Sequence, residues 1–251
     1  MTSKQTQLIS RLRELHAAPG SFVIANAFDA GSACILEGLG FKALATSSGA
    51  AAGVLGRLDG SITREESLGQ AEAIAAAVDL PVSADLERGF GHSPDDVAHT
   101  IREAIAQGLA GASTEDASGD AQTPIYTFEH AVERIAAAVE TARASRTGFM
   151  ITARTENFLN GVTDLNDTLR RLQAFENAGA DVSFAPGLPT LEAIGAVCMA
   201  LHQPVNFMVG TPGRSFSVPE LTAVGVKRIS LASSLHTAAM SAVVAAAEEV
   251  L

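Results

Sequence analysis

The chain has 251 residues, 47% of them hydrophobic and 18% charged, with a formal net charge of −11. That size suits one large α/β domain with a sizeable core. The negative balance argues against nucleic acid and anionic membrane surfaces as partners, but not against a small anionic substrate held by local arginines. No stretch reaches the roughly 18–20 uncharged apolar residues that span a bilayer, and the first twenty residues lack the apolar centre of a signal peptide, so a cytoplasmic location is expected.

The opening stretch MTSKQTQLISRLRELHAAPG reads as an amphipathic helix with Leu8, Leu12 and Leu15 on one face. Eight strand-like runs follow: FVIANAF (22–28), ALATSS (43–48), PVSADLE (81–87), GASTED (111–116), FMITART (149–155), DVSFAP (181–186), PVNFMV (204–209) and RISLAS (228–233). Helical patterns separate them at 30–39, 67–78, 94–107, 128–143, 165–178, 190–201 and 218–224. In EGLGFKALA, AQGLAGAS, ENAGADVSF and TAVGVKRIS a glycine closes a helix just before a strand, which is how a helix feeds a parallel strand. Eight alternating units predict a single (β/α)8 barrel over 1–251, preceded by the N-terminal helix. The alternative, an open doubly wound sheet, lacks a phosphate-binding GxGxxG after its first strand. Cys34 and Cys198 lie far apart in predicted helices, form neither a disulfide framework nor a zinc site, and are read as buried small hydrophobes.

Barrel enzymes work at the C-terminal ends of their strands. There the sequence places Asn26 and Asp29, then Ser47, Ser48 and Gly49, with Asp59 in the loop GRLDG. Asp85 and Glu87, Glu115 and Asp116, then Arg154, Glu156 and Asn157, and finally Asn206 complete the rim. In SADLERGFG (83–91) strand alternation puts Asp85 and Glu87 on one face. Carboxylates gathered at one rim repel one another, and a divalent cation is the usual remedy. Hard oxygen ligands without clustered His or Cys point to Mg²⁺ or Mn²⁺, held by one or two carboxylates and otherwise through water. Arg154 either pairs with Glu156 or Glu115 or clamps a substrate carboxylate, the second role being preferred. The small-residue turn TSSGA either receives a carboxylate or oxyanion or is a plain connecting turn.

Lys42 and Lys227 precede strands, away from the catalytic rim, so Schiff-base chemistry is not expected; no cysteine lies at a strand end, so neither is thiol chemistry. His92, Tyr126 and His236 are the candidates for proton transfer. VGTPGRSFS (209–217) contains Gly210, Gly213 and Arg214, which would suit an anion, but it reads better as a mobile turn.

The stretches ANAFDAGSA, ATSSGAAAG…GRLDG, ADLERGFG, GASTEDA, TARTENFL, AGADVSFAPGL and GVKRISLASS occur in an order that resembles the isocitrate lyase/phosphoenolpyruvate mutase superfamily over nearly the whole chain. The resemblance implies a Mg²⁺-binding barrel acting on small 2-oxo or hydroxy acids, cleaving C–C or P–C bonds through enolate-like intermediates. Its metal-site acids fall on Asp59, Asp85, Glu87 and Glu115, its carboxylate and oxyanion contacts on Ser47, Ser48 and Gly49, and its substrate arginine on Arg154. Glu87 stands where the family usually has Asp. The KKCGH loop of the lyases is replaced by EDASGDAQTPIYTFEH, the Lys-Thr-Asn loop of the mutases is absent, and FAPG replaces a mutase histidine after strand six.

The expectation is therefore a Mg²⁺-dependent lyase or decarboxylase for a small 2-oxo or hydroxy dicarboxylate. Its catalytic residues would be Arg154, Asp59 and Glu115. Ser47, Ser48, Gly49, Arg154 and Asn206 would bind substrate, and Asp85, Glu87 and Glu115 would hold the metal. The alternatives are a phosphonate P–C mutase or hydrolase and a non-catalytic keto-acid-binding barrel. The final run HTAAMSAVVAAAEEVL is apolar on nearly all faces before its last turn, unlike a helix on the outside of a monomer. With the family's habit of swapping its eighth helix, this predicts a homodimer or homotetramer with that helix swapped or packed between subunits.

Overall fold

All eight strand-like runs form strands, and each pairs in parallel with the next in chain order. They are β1 (Phe22–Asn26), β2 (Leu44–Ala45), β3 (Val82–Asp85), β4 (Gly111–Glu115), β5 (Met150–Arg154), β6 (Val182–Phe184), β7 (Val205–Met208) and β8 (Arg228–Ser230). The computed structural model describes residues 3–211 and 213–251. β8 pairs back onto β1, with Phe22 opposite Arg228, so the sheet closes and the open doubly wound alternative is excluded.

Ten helices accompany the strands among the described residues: α1 (Ser3–Ala17), α2 (Ala30–Gly38), α3 (Ser48–Val54), α4 (Arg64–Ala77), α5 (Pro94–Ala106), α6 (Phe128–Ala144), α7 (Leu165–Asn177), α8 (Leu191–Ala200), α9 (Val218–Ala223) and α10 (Ser234–Glu248). Their starts are written locally. Thr63 and Glu66 exchange side-chain and backbone bonds in a capping box at α4, and Ser93 and Asp96 do the same at α5, where Pro94 supplies the first turn. Their ends use the expected glycines. Gly179 and Gly225 turn the chain at φ 98° and 97°, conformations that cost glycine little, directly before β6 and β8.

Strand alternation divides the side chains. Outward residues such as Ala84, Ala112, Ile151 and Phe207 join the helices in the main core. At the N-terminal mouth, Ile9 and Leu12 of α1 pack on Ile24, Ala43, Ala110, Met150 and Val182 and plug the barrel. Leu8 is buried and Leu15 packs against this plug, as the amphipathic reading of α1 required. Lys227 donates to the carbonyls of Ala18 and Gly20 at this same end, far from the rim.

Two expectations change. Cys34 is exposed rather than buried, because it sits on the outer side of the short helix α2, with its thiol 3.5 Å from the Ala77 carbonyl. Cys198 is half-buried, and burial pushes its thiol up to about 11. α10 buries no residue, and Met240, Val243 and Val244 stand exposed along it. No helix among the described residues is long and apolar enough to cross a membrane.

Candidate active site

The strands stop where the polar residues begin, and each stop is built locally. β2 ends at Ala45 because Ser47 leaves the strand to cap α3 through a bond from the Ala50 N–H. The turn TSSGA is thus a strand-to-helix junction. Asp85 closes β3 with its N–H given to Thr46 Oγ1 at 2.9 Å. Its carboxylate accepts from the Ser48 N–H and from Ser113 Oγ, each at 3.2 Å, so the start of α3 and strand β4 fix it. Asp59 reaches over Gly49 from its loop. A Cβ on Gly49 would lie 3.2 Å from Asp59 Oδ2, so the glycine makes room for that carboxylate.

Glu87 does not continue the strand. Its φ of 47° turns the backbone out of alternation, yet its N–H still points at Asp85 Oδ1, 3.4 Å away. The side chain is buried with Oε1 lacking a partner, and Arg88 is 3.9 Å from Oε2. Burial, reinforced by the charges of Asp85 and Asp59, pushes this carboxyl up to about 7.

Arg154 ends β5 and lies between three acids. Its Nε bonds Glu156 and sits 3.3 Å from Glu115 Oε2, its Nη1 is 3.9 Å from Asp85, and its guanidinium rests 5.0 Å from the centre of the Phe184 ring. Burial alone would lower its pKa, but Glu156, Glu115 and Asp85 outweigh burial and push it upward. Glu115 is raised well above the usual range, chiefly by burial, which Arg154 only partly opposes. Among the described residues no group of three or more His, Cys, Asp or Glu side chains is arranged to hold a metal ion. Arg154 lies within 3.9 Å of both Glu115 and Asp85.

Several sequence candidates serve the scaffold instead. Asp29 caps α2 in a box with Ser32. Asp116 is buried and accepts from Thr155, the Glu156 N–H and Arg171 at 2.8–3.1 Å, which pins the chain after β5. Asn157 donates to Asp167 and Thr168 and ties that loop to α7. Asn26, by contrast, borders the barrel cavity, and it also links β2 to the chain after β8 by bonding the Thr46 carbonyl and the Leu231 N–H. His92 and Tyr126 bond one another at 2.6 Å beside His130 and Arg134, away from the barrel cavity. His236 packs edge-on against Phe28 and fills the space over Gly53. In VGTPGRSFS, Arg214 is committed to the Gly187 carbonyl at 3.0 Å, and Pro212 lies outside the described residues.

The rim opens into a cavity of about 630 Å³ that Ser47, Ser48, Gly49, Asp59, Asp85 and Arg154 border. It continues downward to Ser83, Ser113, Asn206, Ser230 and Arg228. Arg228 did not figure among the strand-end candidates because it opens β8. Its side chain crosses the barrel, with Nε donating to Asn206 Oδ1 at 2.8 Å and Nη2 to Thr152 Oγ1 at 3.0 Å.

The phosphoenolpyruvate phosphomutase family model matches residues 12–251. An oxaloacetate decarboxylase of Bradyrhizobium diazoefficiens is 32% identical over 228 residues, 88% of this chain and 77% of that protein. Among solved structures, a Burkholderia cenocepacia J2315 protein provisionally assigned as a lyase or mutase superposes with a TM-score of 0.96 at 48% identity, over 99% of this chain and 89% of that one. An oxaloacetate acetylhydrolase, solved with its product oxalate and with the inhibitor 3,3-difluorooxaloacetate, is 28% identical. The oxalate complex has a TM-score of 0.88 and covers 95% of this chain and 84% of that one.

Proposed function

Since the chain belongs to the phosphoenolpyruvate mutase/isocitrate lyase superfamily, whose members similar to it include carbon–carbon lyases and decarboxylases of small carboxylic acids, we propose that it is itself such an enzyme. It cleaves a C–C bond next to the carbonyl of a small 2-oxo or hydroxy dicarboxylate. The observation that carries this reading is the rim of Asp59, Asp85 and Arg154 over one deep cavity, with Glu115 beside Arg154 and Glu87 behind Asp85.

The acids fit a hard divalent cation. Glu87 Oε1 is a buried acceptor with no donor, and Asp85 is held rigidly at the cavity edge. Mg²⁺ (or Mn²⁺) keeps several waters, so Asp85 would hold it directly while Glu87 and Glu115 reach it through water. When bound, the ion would polarise a substrate carbonyl and offset negative charge building on its oxygen. Arg154 stays charged whatever the working pH and faces the reacting end of the substrate. Asp59 and Glu115 flank that end. Ser47, Ser48 and Gly49 receive a substrate carboxylate at the start of α3. Held together, these groups place the scissile bond beside fixed charge, which is where most of the rate enhancement of such sites arises.

The bare apolar face of α10 supports a homodimer or homotetramer in which that helix packs against, or swaps into, a second copy. Sedimentation as a monomer at micromolar concentration would remove the assembly reading. The activity is tested with Mg²⁺ and oxaloacetate, 2-methylisocitrate and related acids. Asp85→Ala should abolish metal-dependent turnover, and Mg²⁺ should raise the melting temperature with oxalate in the wild type but not in the variant. Turnover unchanged by Asp85→Ala, with no Mg²⁺-dependent shift, would refute the site.

A further inference from the structure

The interior of a (β/α)8 barrel is ordinarily filled by bulky branched side chains. Here the middle layer is small and polar, with Ser83, Ser113, Thr152, Asn206 and Ser230, and the cavity reaches down to it. Arg228 lies across this layer at 6% exposure. Below this layer, α1 packs Ile9 and Leu12 into an apolar plug, with His16 buried nearby, while Arg228 itself borders the cavity above.

Two arginines border the cavity, and their electrostatics differ. Arg154 is shared by three carboxylates. Arg228 makes no ion pair among the described residues, and its two bonds go to a neutral amide and a neutral hydroxyl. Burial lowers it to about 10, which leaves it charged at neutral pH. The nearby His16 is pushed down to about 3 by burial and then by Arg228, so it adds no competing charge. A buried cation without a counter-charge is costly, and a cavity that ends on one is built to receive an anion.

We propose that Arg228, seated on Asn206 and Thr152, is a carboxylate subsite at the floor of the barrel, and that it selects 2-oxo dicarboxylates over 2-oxo monocarboxylates. The proposal rests on the reading given under Proposed function and assigns the far end of that substrate. Thr152 lies two residues before Arg154 on the same face of β5, about 6.6 Å lower along the strand. A short diacid with its 2-oxo acid end at the rim therefore projects its second carboxylate toward the Arg228 fork. A planar guanidinium already oriented by two bonds meets a carboxylate in a paired geometry that a lysine cannot copy.

The test is calorimetric titration in the presence of Mg²⁺ with two probes, 3,3-difluorooxaloacetate and pyruvate, on the wild type, Arg228→Met and Arg228→Lys. Removing the charge while keeping an unbranched side chain should weaken the diacid by at least about tenfold while pyruvate stays within about twofold. Arg228→Lys keeps the charge, guards against a failure of the methionine variant to fold, and should lie between the two. Equal losses for both probes, or a diacid affinity that neither substitution changes, would overturn the subsite. Failure of both probes to bind the wild type would instead overturn the metal-site reading on which the subsite depends.

Discussion

Glu87→Gln gives the sharpest test of how the rim is balanced. In the metal-free protein the Glu87 carboxyl rises from 4.5 to about 7, first through burial and then through Asp85 and Asp59. Below pH 4.5 it is protonated in both folded and unfolded chains and has no effect on stability. Between 4.5 and 7 the unfolded chain has released the proton while the folded chain retains it, so stability falls as pH rises. At ~1.4 kcal/mol per pH unit the accumulated loss is about 3 kcal/mol by pH 8, where it levels off. Glutamine is isosteric and does not ionise, so Glu87→Gln should match the wild type near pH 4.5 and exceed it by about 3 kcal/mol at pH 8. For a chain of this size that is roughly 6–12 °C in melting temperature. The assay is thermal unfolding in EDTA from pH 4.5 to 8.5. Adding Mg²⁺ should shrink the gap by relieving the repulsion that glutamine has already removed. Parallel curves for the two proteins across the range would mean that Glu87 ionises freely and that the rim carries no stored repulsion.

Arg154→Met removes the cation from between Glu156, Glu115 and Asp85. It should destabilise the protein by about 3–5 kcal/mol at pH 8 and by less at lower pH, where Glu115, pushed upward by burial, takes up a proton, and it should abolish turnover; an unchanged melting temperature would show that the three acids do not depend on it. Asp29→Ala should cost about 1 kcal/mol through the lost α2 cap and leave oxalate binding unchanged. A loss of ligand affinity in that variant would return Asp29 to the site.

The fold was legible because its signals are local and repeated. A capping residue, an amphipathic run, a closing glycine and an apolar strand recur at each unit, and one consistent pattern leaves few topologies. The ends of the strands were less legible. β3 reads as continuing to Glu87, but the positive φ at Glu87 follows from the turn through Gly89 and the bond from the Glu115 N–H to the Glu87 carbonyl, neither of which alternation can register. β2 reads as reaching Ser48, but the serines gain more by starting a helix, where Ser47 satisfies an otherwise unpaired N–H. The scaffold role of Asp116 was likewise beyond strand spacing, since it lies past the end of β4 and its partners Thr155, the Glu156 N–H and Arg171 come from distant segments.

Arg228 exposes the limit of the rule that polar residues before a strand belong to the stability end of a barrel. The rule is about Cα positions, whereas chemistry is done by side-chain ends. A serine at the start of β8 would stay at that level. An arginine there has a long enough side chain to climb to the level of Thr152 on the opposite wall, provided that the layer above it is small. The sequence carries that proviso too: Ser83, Ser113, Thr152 and Ser230 stand where barrels usually place valine, isoleucine or leucine. Each is unremarkable on its own strand. They acquire meaning together, because Ser83, Ser113 and Ser230 line the same cavity as Arg228, and Asn206, paired opposite it, and Thr152 bond its guanidinium. A barrel sequence is therefore best read by layer across its strands as well as along each one, and a long cation at the bottom of a layer of small polar residues is the pattern to seek.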